Sequence, residues 1–440
     1  MELVTLLSRI QFGIAAGFHF LFPATTLGLT LFILIYETLY LRRRESDYQR
    51  ISIFLSRILA VVYVMGIATG GTLEFSFGTN WDGFSRFAGS VFGMPVAAEA
   101  ITAFALEAGF IGILLFGRNR VPAGVYWVAA FLVFFGSHLS GLWILAANTW
   151  MQVPGGFTVQ DGRAVATDWS HILFNGGVWL RFGHTVVACW MAGSALVAAL
   201  AAGFHLKQRH AGLARRLLGP AAILLVALPI VQLELGHLSA VYVDEHQKAK
   251  SAALEGVFET RPRAPLIIFG IPDEEGRRVR MTLGIPSLLS LLVGGRPSTV
   301  ITGLNEFPRQ EWPPVNVVFT TFHFMVAIGF LSIGLGLVVA WLAWRKSLPG
   351  PRWFLWVLVA YLAFPYLAIE LGWMTTEIGR QPWVVYGLQR TAEAASGQLR
   401  PGHLAFSLAS LSLLYAVLFG VFLFAVFRII RKGPPDPREG

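Results

Sequence analysis

At the end of one apolar run stand a carboxylate, a guanidinium and two indoles: Glu377, Arg380, Trp373 and Trp383, in Leu371-Gly-Trp-Met-Thr-Thr-Glu-Ile-Gly-Arg-Gln-Pro-Trp383. Charged groups at the edge of an apolar span are costly to place and by default functional. Gly379 reads as a hinge between them and Pro382 as a stop. Other chemistry-bearing residues lie inside apolar runs: His19, Glu99, Glu107, His184 and Met325.

His184 and Met325 belong to runs that enter from the same side, so they lie at similar depth and can face each other across a flat ring. A histidine and a methionine as axial pair make a low-spin, electron-transferring heme. Taken singly, each reads equally as a satisfied buried histidine and a packing methionine. His19, in Gly17-Phe-His-Phe-Leu-Phe-Pro23, needs a partner in so apolar a setting, and is either a ligand or a structural histidine. Glu99 and Glu107 are eight apart, nearly on one helix face and about 12 Å apart along the axis. Carboxylates there are costly to ionise, which suits transient proton carriage; the alternative is a pair of protonated structural acids. Lys250 and Glu255, by themselves, are ordinary charges on a solvated helix.

Positioning these groups requires a membrane. The chain has 440 residues, 55% of them hydrophobic and 13% charged, too few polar groups to cover a soluble surface. The single Cys189 excludes a disulfide framework and a Cys-x-x-Cys-His heme attachment. The formal charge of +9 does not imply nucleic acid, because the basic residues sit in short connections between apolar runs.

Nine runs are long enough to span about 30 Å of hydrocarbon: 14–39, 54–77, 93–117, 124–147, 180–206, 219–241, 315–344, 353–374 and 403–428. Arg42, Arg43, Arg44, Arg50, Arg118, Arg120, Lys207, Arg209, Arg215, Arg216, Arg345, Lys346, Arg352, Arg428, Arg431, Lys432 and Arg438 mark one side as cytoplasmic. An all-α bundle follows, with the N-terminus outside and the C-terminus inside. The domain division is 1–241 for six spans, 242–314 for a long outer loop, 315–428 for three spans and 429–440 for a cytoplasmic tail. In the loop, 242–255 reads as one amphipathic helix and Pro262, Pro265, Pro272 and Pro286 break up the remainder. Pro434 to Pro437 read as a disordered end. Gly66, Gly70 and the glycines of 329–336 fit close helix packing.

The Gly379-Arg-Gln-Pro-Trp383 run, with Glu377 three residues before the arginine, resembles the motif of subunit I of the cytochrome bd-type quinol oxidases, in the form with a short periplasmic loop. Arg181-Phe-Gly-His184-Thr and Phe322-His-Phe-Met325-Val are similar to that family's two low-spin-heme motifs. Gln247-Lys-x-Lys-x-Ala-Ala-x-Glu255 is similar to its quinol-oxidising segment. Ser8-Arg9-x-Gln-Phe, Glu74-Phe-x-Phe-Gly-Thr-Asn-Trp81 and Leu142-Trp-Ile-Leu-x-Ala-Asn-x-Trp-Met-Gln152 extend the likeness over nearly the whole chain.

The resemblance implies three hemes: a low-spin heme b held by His184 and Met325, and a high-spin heme b with a heme d or third heme b, for which His19 and Glu377 are ligands. It implies a proton path through Glu107 and Glu99 to the oxygen-reducing site, and quinol held by Lys250 and Glu255. Arg9 and Asn148 become propionate partners, Trp373 lies between hemes, and Glu74, Arg181, His323 and Arg380 line the heme environment. His323 departs from the arginine usual there, and is expected to alter the low-spin heme's potential or compete with Met325. Ala108 departs from a polar group that some members carry. The implied protein is a quinol:oxygen oxidoreductase in a bacterial or archaeal inner membrane. It reduces dioxygen to water without pumping, with a second membrane subunit and room for a small single-helix accessory subunit. A diverged electron-transfer heme protein and a proton-coupled transporter are the alternatives; the transporter leaves His184 opposite Met325 unexplained.

Overall fold

The computed structural model describes residues 2–435. The expectations for Arg438 and for the rest of the tail from 436 to 440 lie outside the described residues. Among the described residues nine helices are long and apolar enough to cross a membrane. They are α1 (Glu2–Arg43), α2 (Ser46–Thr79), α3 (Asp82–Phe116), α4 (Ala123–Gln152), α5 (Gly176–Leu206) and α6 (Ala211–His246), then, after the loop helix α7 (Lys248–Glu255), α8 (Val315–Trp344), α9 (Arg352–Ile378) and α10 (Pro401–Lys432). Each contains the expected apolar run, except that α3 stops at Phe116, one residue short of 117, and most extend past it by a turn or more, because flanking residues of ordinary helix propensity continue the hydrogen-bond ladder beyond the hydrocarbon.

The main apolar core lies toward the end of the bundle that carries the arginine clusters, and joins Phe32, Phe54, Tyr126, Leu200, Leu217 and Phe354. At that end Arg118 pairs with the fully buried Glu37 and stacks 3.7 Å from the Tyr126 ring centroid. The closest crossing is α1 on α5: a Cβ on Gly28 would lie 2.6 Å from the Gly193 backbone. Gly336 packs against the α6 backbone as expected, but Gly70 faces His19, so its small size serves that side chain. The tail differs from expectation as far as it is described. Helix α10 runs to Lys432, and the Pro435 carbonyl accepts a hydrogen bond from Arg50 at 2.7 Å, which packs the chain end against α2.

The long loop is more ordered than its prolines suggest. Helix α6 continues through Tyr242 to His246, and the expected single helix breaks at Gln247 (φ −138°, ψ 63°) before α7 begins. Helix α7 is not a solvated amphipathic helix. Every residue from Ala249 to Glu255 is buried, since its alanines and serine let it lie close against its neighbours. It ends on Gly256 in the left-handed region (φ 66°), a helix cap that glycine adopts without strain. Beyond it, β1 (Leu266–Asp273) and β2 (Arg278–Ile285) form an antiparallel hairpin. The alternation of Val279, Met281, Leu283 and Ile285 after a Glu-Glu-Gly turn was a readable strand signal.

Candidate functional site

The polar groups converge where α4 and α9 end and α7 begins. Glu377, on the last turn of α9, pairs with Arg380, and its Oε1 accepts from Asn148 Nδ2 at 2.9 Å and from Gln152 Nε2 at 3.4 Å. Gln152, the last residue of α4, also accepts from Lys250 Nζ at 3.2 Å, and the same ammonium donates to the Thr376 carbonyl at 3.0 Å. Gln247, at the break before α7, donates to the Gln152 carbonyl at 2.6 Å, so the helix break is what seats α7 on the bundle. Gly379 is not a hinge. Its φ is an ordinary −66°, and its smallness is needed because a Cβ there would lie 2.9 Å from Lys250 Cε. Asn148, expected at a propionate, is thus a partner of Glu377, and Arg9 sits exposed on α1.

On the neighbouring face, one ring nitrogen of His184, Nε2, lies 3.2 Å from the Gln232 side-chain amide of α6. Met325 lies against α9, its Sδ 3.1 Å from where a Cβ on Gly372 would stand. Both ring nitrogens of His323 lie 2.8 Å from backbone carbonyls, those of Phe319 and Ile267, which sets the imidazole between α8 and β1.

His19 Nδ1 lies 2.9 Å from Thr69 Oγ1 of α2. The same turn of α1 meets α9 twice: Phe20 makes an edge contact with Trp373 at 4.9 Å between centroids, and Glu370 lies against Gly17. On α3, Glu99 accepts a hydrogen bond from Ser140, with Glu74 of α2 close enough for their charges to interact. Residues Glu99–Phe104 form a π-helical turn. Eight residues of regular α-helix leave an offset of roughly 80° at 100° per residue. The wider i→i+5 turn advances each residue less and brings Glu107 back toward the azimuth of Glu99. The pair therefore shares a face because of an irregularity that spacing alone does not reveal.

The loop acids and bases do not stand side by side. Lys250 and Glu255 are five residues apart, roughly 140° around α7, and only Lys250 joins the Glu377 network. Burial holds the Lys250 ammonium well below the usual lysine range, with Arg181 adding to the effect, Glu377 opposing it and Arg380 adding again. Burial raises the Glu255 carboxyl from 4.5 to about 7, with the Asp244 charge adding to it. The folded loop therefore keeps a proton, between those two values, that the unfolded loop has lost. Its stabilisation is complete below the lower value and disappears as pH rises through the upper one. Lys250 of the same helix contributes with the opposite sign, so the Glu255 contribution is a difference: relative to Glu255→Gln, the opening free energy of α7, measured by hydrogen exchange corrected for intrinsic rates, is expected to fall by up to about 3 kcal/mol between pH 4.5 and 7.5. The same pH dependence in wild type and Glu255→Gln would contradict the assignment.

Buried nitrogens without a hydrogen-bond partner lie near this cluster: the guanidinium Arg181 Nε, Arg380 Nε and Nη1, and the ring nitrogen His184 Nδ1. Guanidinium N–H groups suit carboxylates such as propionates, and an imidazole nitrogen or thioether suits heme iron, so the residues present fit heme. Of the residues assigned from sequence, Glu377, Arg380, Asn148 and Lys250 meet in one hydrogen-bonded network, with Arg181 near enough for charge interaction. Gln152, Gln247, Gln232, Thr69 and Ser140 carried no individual signal, because neutral polar residues at helix ends or on helix faces are ordinary.

Residues 7–434 match the model of the family described as cytochrome bd terminal oxidase subunit I. The chain is 34% identical over 437 residues to cytochrome bd ubiquinol oxidase subunit 1 of Bacillus subtilis (strain 168), covering 97% of this chain and 93% of that one. It is 32% identical to cytochrome bd-II ubiquinol oxidase subunit 1 of Escherichia coli (strain K12), covering 97% and 96%. The solved structure of bd oxidase from Geobacillus thermodenitrificans superimposes with a TM-score of 0.90 at 30% identity, covering 98% of this chain and 99% of that one.

Proposed function

Because this chain belongs to the cytochrome bd terminal oxidase subunit I family, we propose that quinol is oxidised against the cap formed by α4, α7 and α9, with Lys250 and Glu255 as its proton acceptors. The protein is a heme-containing, multi-pass membrane subunit of a quinol:oxygen oxidoreductase that works with subunit II. What carries the site assignment is the shared glutamine. Gln152 links the buried Lys250 of the loop to Glu377 at the end of α9, so one network spans the quinol side and the heme side.

His184 and Met325 would hold a low-spin heme b, and His19 and Glu377 would serve a high-spin heme b and a heme d or third heme b; bound there, these groups supply electron transfer and dioxygen binding. Arg181 and Arg380 would anchor propionates through their unpaired N–H groups. Lys250, driven toward its neutral amine by burial, is suited to take a proton from a quinol hydroxyl. Glu255, poised near neutrality, is suited to pass one to the outer solution. Glu107 and Glu99 carry protons from the cytoplasmic side, with Ser140 holding Glu99. The arginine distribution favours a loop on the outer side and an α10 terminus in the cytoplasm of a bacterial inner membrane. Protons are then released on one side and consumed on the other, which charges the membrane without a pump. A small single-helix accessory subunit is a third component to be read from the mass of the purified complex.

The test is a reduced-minus-oxidised spectrum of the complex purified with subunit II, repeated under carbon monoxide, together with oxygen uptake driven by a reduced quinol. Low-spin b bands, a carbon monoxide-sensitive component and quinol-dependent uptake are expected, and a far-red band would identify heme d. Hemes without uptake would instead favour an electron carrier that does not reduce oxygen.

A further inference from the structure

Glu107 is buried on α3, and the next residue toward the cytoplasmic end, Ala108, offers no hydroxyl. Toward the outer side the route continues: Ser137 of α4 lies within hydrogen-bonding reach of Glu107, and Ser140, one turn on, donates to Glu99. At the level of Glu107, Tyr63 faces α3 from α2. Tyr63 of α2 is near enough for its charge to interact with Glu107, and its hydroxyl is buried without a hydrogen-bond partner. Its ring is held by stacking on Phe104, at 6.4 Å and 12°, at the end of the π-helical turn. A buried tyrosine hydroxyl usually finds a partner, so an orphan beside a carboxylate marks a group able to donate to it.

The level of this pair in the bundle follows from a cavity of about 280 Å³ at the cytoplasmic ends of α2 and α3, where Ser56 and Arg57 stand opposite Leu114 and Leu115. Tyr63 is seven residues above Ser56 on α2, and Glu107 is seven residues above Leu114 on α3. Both are therefore about 10 Å beyond the cavity. The Ser56 side chain is buried in the cavity wall.

From this juxtaposition we infer that Tyr63 is the inner proton relay of this chain, passing protons that enter through the Ser56 cavity to Glu107. The hydroxyl proton moves to the Glu107 carboxylate as the O–H bond breaks, and a proton from water on the cavity side restores the phenol; no electron is transferred. The inference rests on the reading of Glu107 and Glu99 as the proton path. Tyr63 is a positioning and relay residue, not one that touches the reacting oxygen.

The test uses the complete complex with subunit II. It follows proton uptake during the single-turnover reaction of the reduced enzyme with oxygen, and the infrared carboxylic-acid band of Glu107 identified through Glu107→Gln. Tyr63→Phe keeps the ring and its stacking. It is expected to slow proton uptake about tenfold, the scale of one hydrogen bond lost from a transfer step, to shift the Glu107 band, and to leave the heme spectra and the KM for quinol unchanged. Adding Ala108→Ser to Tyr63→Phe should restore uptake, because it returns a hydroxyl beside Glu107. An unchanged rate and band in Tyr63→Phe overturn the inference, as does a slowed rate that Ala108→Ser does not relieve, since packing is then what the ring supplies. Glu107→Gln separates the two levels. If it leaves uptake intact, the proton path itself is wrong; if it blocks uptake while Tyr63→Phe does not, only the relay fails.

Discussion

Met325→Leu is expected to remove the low-spin heme signal from the reduced-minus-oxidised spectrum and to lower quinol-driven oxygen uptake at least a hundredfold, while the carbon monoxide-sensitive component persists. The fold should survive, because exchanging methionine for leucine conserves volume and costs less than about 1.5 kcal/mol. What would be lost is the thioether, the group proposed to hold the low-spin heme with His184. His323, two residues away, has both ring nitrogens 2.8 Å from carbonyls, those of Phe319 and Ile267, and Gly372 of α9 lies close against the Met325 sulfur. A low-spin spectrum that survives the substitution would refute the ligand assignment.

Glu377→Ala should do damage of two kinds. Arg380 is only 4% exposed and would lose its carboxylate partner, while Asn148 and Gln152 would lose their acceptor. Because the Glu377 side chain is 33% exposed, the cost is expected below the about 3–5 kcal/mol of a fully buried pair, read as a lowered unfolding midpoint of the detergent-purified complex. The carbon monoxide-sensitive component should disappear as well. Glu377→Gln distinguishes the two effects: its amide oxygen still accepts from Asn148, so part of the stability should return while the heme signal does not. A Glu377→Ala complex that binds carbon monoxide as the wild type does would remove Glu377 from the heme site.

Nine spans, their order and the side on which the acids and histidines cluster were legible in the sequence, because hydrophobic length is a property of contiguous residues and needs no partner to be counted. Glu377, His184, Met325 and Lys250 were singled out either because charge or ligand chemistry in apolar surroundings is unusual or because a motif carried them. The ordered loop was partly legible: the alternation in Arg278–Ile285 announced a strand, whereas the break at Gln247 carried no glycine or proline to mark it.

Only the tertiary structure decided which groups touch. Gln152 joins Lys250 to Glu377 across 98 and 225 residues of sequence, His323 sits between α8 and β1, the π-helical turn aligns Glu99 with Glu107, and Tyr63 of α2 stacks on Phe104 beside that turn. The reason is physical. Burial of an apolar run is a sum over its own residues, but a hydrogen bond depends on the position and direction of two groups at once, and those are set by how separate helices are rotated and staggered against each other.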